Sequence, residues 1–344
     1  MQDGLTQSGA VTMVYRRQLR QRRLAFLLLV LSACLLGIYA VSRGAYAVPV
    51  SDLVRALIAG DQGGVSRVVL ASIRLPRVLA ALVCGWGLSL SGLAIQSLLR
   101  NPLGSPSTLG ISQGAAFGAA FSLVVFDAGV ASVTACAFGG AMGAAAVILL
   151  LARLRRLTPE AIILVGVALS SLFASATILI QFLATETELA MVVFWTFGDV
   201  ARSNWAELGF LSGAVILAAA ILTFLRWDLN ALALGEKAAF GLGVSVASVR
   251  LTGMLLAALV AALATAFHGV IAFVGLIGPH MARRLVGDDH RLLIPFSSII
   301  GALLLLAADT LGRLAIGSGA LPVGVLTSFL GAPMFLYLLV RGYR

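Results

Sequence analysis

The sequence predicts an all-α polytopic membrane protein with about ten transmembrane helices. Three observations predict it. The 344 residues are 60% hydrophobic and only 11% charged, whereas soluble domains are about half apolar and a quarter charged. Mean hydropathy is +1.04. Apolar runs of about 20 residues, the length that crosses a hydrocarbon core as a helix, recur along the whole chain. A soluble helical core does not need this much apolar residue, and a β-barrel would show weaker, alternating segments.

The spans are expected at about 24–42, 76–99, 107–126, 129–152, 160–183, 206–226, 247–267, 270–286, 292–313 and 323–341, in one domain covering 1–344. The first follows a basic stretch, 1–23. That order resembles a signal peptide, but the apolar run is near span length and no clean cleavage site precedes Pro49, so a retained span is expected. Ser51–Gly60 (SDLVRALIAG) has an N-cap serine and apolar spacing, which predicts a short surface helix. Span two opens on RLPR, with Pro76 at the first helical position. The stretches GWGLSLSG, GISQGAAFGAAF and GGAMGAA put small residues on helix faces, so backbones can approach closely. FWTFGDVARSNW, ahead of span six, places two tryptophans at an interface. The eighth span is short and contains Pro279.

An even number of spans puts both termini on one side. With the termini in the cytoplasm, 17 of the 24 basic residues face inward, as the positive-inside rule requires. The net charge of +10 therefore reads as a membrane-orientation signal and not as a nucleic-acid surface. Seven outward arginines need another reason: Arg43, Arg55, Arg67, Arg74, Arg77, Arg202 and Arg313.

Reactive chemistry is sparse. Asp309 lies in span nine with Arg313 one turn on, which reads as an i,i+4 ion pair. His268, His280 and His290 are scattered and predict no metal cluster. Cys34, Cys84 and Cys136 lie in apolar spans with no CxxC spacing and read as packing residues. No nucleophile–base constellation appears, so no catalytic residue is expected. A Walker A motif needs GK[ST], and the sole lysine, Lys237, sits in GEKAA. If transport is ATP-driven, the ATPase is another polypeptide and this chain must dock it.

One inward loop has the pattern for docking. WDLNALALGEKAAFGLGVSVASVR (Trp227–Arg250) lies between spans six and seven and is too polar to cross a bilayer. Asn230 is expected to cap a first short helix, with Gly235 breaking it. Glu236 to Phe240 starts a second, which Gly241 and Gly243 end. Leu232, Leu234, Phe240 and Leu242 give apolar knobs, and Glu236 and Lys237 a polar rim. Two readings stay open from the pattern: elements that fit a groove on a partner, or interfacial helices lying on lipid.

Several ordered motifs together resemble one family. They are RLPR (Arg74–Arg77), SGLAIQSLLRNPLGSPSTLGISQGAAFG (Ser91–Gly118), LNALALGEKAAFGLGV (Leu229–Val244), GVIAFVGLIGPHMARRLVGDDHR (Gly269–Arg291), ADTLGR (Ala308–Arg313) and LPVGVLTSFLGAPMFLYLLVR (Leu321–Arg341). The chain looks like a member of the FecCD family, permease subunits of ATP-binding-cassette (ABC) importers for iron-siderophores, haem and vitamin B12. The resemblance implies the type II importer permease fold in a bacterial inner membrane. It implies a second permease subunit, by default a homodimer, two copies of an ABC ATPase, and an extracytoplasmic substrate-binding protein. No cofactor is expected on this chain; ATP and Mg belong to the ATPase.

The resemblance also implies residue roles. Leu229, Asn230, Leu232, Leu234, Gly235, Glu236, Lys237, Phe240, Leu242 and Gly243 fall in the coupling-helix pair that the ATPase holds (229–244). Arg74 and Arg77, through RLPR, and Arg313, through ADTLGR, match arginines that dock the binding protein. Asn101 and Leu103, with Thr158 and Pro159, match the cytoplasmic gate. Two positions depart from the family pattern: Ala320 where an acidic residue often precedes LPVG, and Asp199 where serine often follows the glycine of FWTFG. Ferric siderophore is the expected substrate by family frequency, with haem next and cobalamin third. An ion-coupled secondary transporter is the main alternative, against which the poverty of buried carboxylates argues. A non-transporting scaffold is the other.

Overall fold

The computed structural model describes residues 2–43, 69–126, 129–154, 158–315 and 321–340. Ser51–Gly60, Arg55, Arg67, Arg155, Arg156 and Ala320 lie outside the described residues. Among the described residues there are thirteen α-helices and no strand. They are α1 (Gln2–Ser42), α2 (Leu75–Leu99), α3 (Ile111–Val125), α4 (Val130–Leu154), α5 (Pro159–Leu183), α6 (Glu186–Thr196), α7 (Trp205–Phe224), α8 (Arg226–Ala233), α9 (Glu236–Gly241), α10 (Val246–His268), α11 (Val274–Val286), α12 (His290–Ala315) and α13 (Val323–Val340). A π-helical turn, Val69–Arg74, leads into α2, and a 3₁₀ turn, Val200–Arg202, precedes α7.

Ten of these helices correspond to the ten expected spans, and seven are long and apolar enough to cross a membrane by length and composition alone. α3 and α11 have only 15 and 13 residues. Both start later than the hydropathy pattern predicts, for local reasons. Residues 101–110 turn instead of coiling, because Ser105 and Thr108 side chains bond each other's backbone N–H groups and Gly110 adopts φ +82°. Ahead of α11, Gly269 and Phe273 take φ +76° and +66°, which no helix accommodates. Helix α6 was not among the expected elements. A capping box at its start, Thr185 with Glu188, satisfies orphan N–H groups there.

Helix α2 occupies the centre, packed against α7, α10, α11 and α12. Its sequence carries Gly85, Gly87 and Gly92 among Ser89 and Ser91, and these set how near its neighbours come. A Cβ on Gly92 would overlap the backbone carbonyl of Gly275 in α11, and one on Gly85 that of Gly301 in α12. Lipid supplies no hydrophobic drive between helices, so close backbone packing and hydrogen bonds must hold the bundle. The serines provide such bonds: Ser89 Oγ donates to Ser297 O at 2.7 Å and Ser91 Oγ to Ala257 O at 2.7 Å. At the periphery, α5 presents Leu164, Leu172, Leu179 and Phe182 outward.

Replacing Gly92 with leucine forces α2 away from α11 and should destabilise the protein by about 3 kcal/mol or more. Gly139→Leu, on an open face of α4 with nothing near its Cβ position, should leave stability unchanged. Thermal unfolding of the two variants in detergent, side by side, checks the pair.

Candidate functional site

Two polar assemblies sit at opposite ends of α2. At its finish, α2 ends in a left-handed cap at Arg100 (φ +48°), whose N–H bonds back to Gln96 and Ser97 carbonyls. The chain then turns on itself. Asn101 Oδ1 accepts from Leu103 N at 2.9 Å, and Leu103 is 43% exposed. Nearby, Thr158 caps α5 by accepting from Ala161 N at 3.3 Å, and Pro159 takes the first helical turn. The Thr158–Pro159 pair is thus a helix start built from its own residue types.

The predicted helix pair is present as α8 and α9, joined at Gly235. Gly235 has φ +116°, a conformation closed to L side chains. Gly243, at φ +84°, ends the second helix. Asn230 does not cap the first. α8 begins four residues earlier, at Arg226, and Asn230 lies inside it. Its side chain is used laterally: Oδ1 accepts from His290 N at 2.9 Å and pairs with His290 Nδ1 at 2.8 Å, while Nδ2 donates to Asp289 at 3.0 Å. Hydrogen bonds from Arg291 pull the Asp289 carboxyl down to about 2, so it stays an ionised acceptor.

The apolar residues of the predicted coupling stretch divide into two sets. Leu229 and Leu232 are buried and root α8 in the bundle. They are not outward knobs, because a helix of eight residues needs its own apolar stripe to hold it down. Leu234, Phe240 and Leu242 are 72%, 78% and 67% exposed, with Lys237 exposed beside them. Glu236 is not a free rim residue. It pairs with Arg250 of α10 at 2.7 Å. A cavity of about 720 Å³ joins Leu99, Arg100, Pro159 and Glu160 to Leu234–Ala238, so the predicted coupling and gate segments share one space. A second, of about 440 Å³, is lined by Gln96, Ser97, Arg100, Asn101, Arg283 and His290, among others.

At the start of α2 the surplus arginines find internal partners. Arg74 Nη1 donates to Val41 O at 2.9 Å, and Arg313 Nη1 to Ala40 O at 3.0 Å. The last carbonyls of a helix have no intrahelical donors, and its C-terminus favours cations. Two arginines thus close the end of α1. Arg202 does the same for α6, donating to Phe194, Trp195 and Phe197 carbonyls. The Asp309–Arg313 pair is present at 3.1 Å, and Arg77 joins it at 2.8 Å, with Asp309 itself buried. Asp199, the departure from the family pattern, caps the 3₁₀ turn by accepting from Ala201 N at 2.8 Å and lies 3.9 Å from Arg77. Sequence spacing predicted Asp309–Arg313; nothing in it pointed to Arg77, 232 residues away.

A family model, described as the FecCD transport family, matches residues 28–341. The chain belongs to the FecCD transport family. A relative from Methanocaldococcus jannaschii, provisionally assigned as an ABC transporter permease, is 45% identical over 342 residues, covering 96% of this chain and 98% of the relative. The molybdate import permease MolB of Haemophilus influenzae is 37% identical, covering 81% of this chain and 83% of MolB. Among solved structures, an ABC transporter assigned to the metal-chelate type, in an inward-facing conformation, superposes with TM-score 0.83 at 33% identity, covering 92% of this chain and 99% of that one. The chain is thus a multi-pass membrane permease of the ABC importer kind, and the all-α permease fold is the one its sequence predicted.

Asp309 balances two largely buried arginines. Asp309→Asn should cost about 3 kcal/mol, because it removes the nearest counter-charge of both cations and leaves Arg313 without one. Asp199→Asn, at a longer and more exposed contact, should cost less than about 1 kcal/mol. Thermal melting of both variants in detergent separates them.

Proposed function

We propose that this chain is the transmembrane subunit of an ATP-driven importer that moves an iron chelate into the cytoplasm by alternating access. The observation that carries the reading is the exposed apolar trio Leu234, Phe240 and Leu242 beside Lys237 on α8 and α9. Large apolar groups on helices too short to stand alone suit a groove on a protein partner. That partner is a separate ABC ATPase using ATP and Mg, one copy under each of two permease subunits. The permease itself performs no covalent chemistry. It sits in the inner membrane with both termini and the α8–α9 end in the cytoplasm, the orientation that places most of its arginines inside.

Asn101 and Leu103, with Thr158 and Pro159, form the cytoplasmic gate in this reading. Their support is that Pro159 shares a cavity with Leu234–Ala238, and that Asn101 lines a second one with Ala233 of α8. The substrate-binding protein docks at the other end, over Arg74, Arg77 and Arg313. Arg77 and Arg313 pair with Asp309 and Asp199, and Arg74 on the α1 carbonyls adds a third cation, so net positive charge there steers an acidic partner more than it tightens the complex. Its helix-closing bonds give that surface a fixed shape. Relatives named for hemin, cobalamin, ferric citrate and molybdate import share similar identity with this chain. Ferric siderophore remains our first substrate, and competition among ferric hydroxamate, hemin, cobalamin and molybdate for ATP-dependent uptake tests it.

Leu234→Asp combined with Phe240→Asp should abolish co-purification with the ATPase while the permease stays monodisperse. Gly235→Pro or Glu236→Arg should uncouple ATP hydrolysis from uptake. The purified permease alone should hydrolyse no ATP. Uptake driven by an ion gradient in vesicles holding only this chain would sink the reading.

A further inference from the structure

Both short helices are tied, through buried intermediaries, to two consecutive residues at the end of α2. The first tie runs from α8. Asn230 Nδ2 donates to ionised Asp289, which leaves Asn230 Oδ1 to accept from His290 Nδ1–H at 2.8 Å. His290 Nε2 is then the acceptor for Ser97 O–H at 2.7 Å. Every donor in this chain points one way, from Ser97 to Asp289, with a neutral imidazole in the middle. The second tie runs from α9. Glu236 pairs with Arg250 at 2.7 Å, and Arg250 Nε donates to Leu98 O at 3.3 Å. Leu98 is in the last turn of α2, where carbonyls lack intrahelical donors.

His290 and Arg250 are buried, 3% and 2% exposed, so neither touches a docked partner. Burying an arginine costs more than burying a hydrophobe of the same volume. Apolar packing through Leu229 and Leu232 already holds α8 down, but such contacts are non-directional and can slide. Hydrogen-bonded networks with fixed polarity set register instead. The turn carrying Arg100, Asn101 and Leu103 follows Ser97 and Leu98 directly.

We infer that His290 and Arg250 are positioning residues that carry displacement of α8 and α9 into the end of α2 and the Asn101–Leu103 turn. The inference rests on α8 and α9 being the ATPase-coupling elements. Loss of either tie lets the short helices move without the turn.

The test uses the full transporter, permease assembled with its ATPase in nanodiscs, with native cysteines replaced. Spin labels at Leu103 and Phe210, both exposed, report the turn against α7 with and without saturating ATP. Ser97→Ala and Arg250→Met should each lower the ratio of shifted to unshifted molecules about fivefold, the worth of one buried hydrogen bond. The double variant should lower it about 25-fold if the ties act independently, while co-purification with the ATPase is kept. His290→Gln, which can still accept from Ser97 and donate to Asn230, should retain the shift; His290→Leu should lose it. This comparison decides the matter if the double variant fails to assemble. A wild-type shift in S97A/R250M, or equal behaviour of H290Q and H290L, overturns the inference. A native transporter in which ATP moves nothing overturns instead the coupling reading beneath it.

Discussion

The close seating of α2 on α11 and α12 is the contact on which the rest of the molecule depends. Water does not drive these helices together, so contact must come from backbones near enough for dispersion and hydrogen bonds. Glycine at Gly85, Gly92, Gly275 and Gly301 removes the side chains that would keep them apart. Ser89 and Ser91 then reach the carbonyls of neighbouring helices. A helix held this tightly behaves as a rod. Both of its ends carry polar assemblies.

Those assemblies solve the same problem, the orphan carbonyls at helix ends, with the same residue type. Arg74 and Arg313 close α1, Arg202 closes α6, and Arg250 closes α2. Arginine suits the task because its planar group offers several donors at once and keeps its charge when buried. The cost of burial is offset by a few carboxylates, Asp309 for Arg77 and Arg313 with Asp199 near Arg77, and Glu236 for Arg250. An arginine fixed on a carbonyl presents a defined field, where a free one would sample many rotamers.

The end of α2 at Arg100 meets the two short helices. α8 is rooted by buried Leu229 and Leu232 and α9 by Ala239, yet the pair offers large apolar groups outward, and Gly235 permits the turn between them. Pro159 and Glu160 at the start of α5 and the Arg100 cap of α2 border one cavity with them.

Composition and period were enough to read the architecture. A chain this apolar must satisfy its backbone within helices, so the ten helices at the expected spans, their order and the patterned loop between the sixth and seventh were legible. So was the Asp309–Arg313 pair, because i,i+4 neighbours are fixed by helix geometry. Family motifs marked Leu234, Gly235, Phe240 and Leu242, whose placement agrees with the pattern. What the sequence by itself did not determine is which polar group meets which. Asn230 reads as a cap by local rules, yet it serves His290 across the bundle. Arg77 finds Asp309, and Glu236 finds Arg250. Each of these bonds joins residues on different helices, and their meeting depends on how closely the backbones between them pack. Only the tertiary structure decides that distance, because a shift of a few ångströms between two helices makes or breaks a hydrogen bond while leaving every span in place.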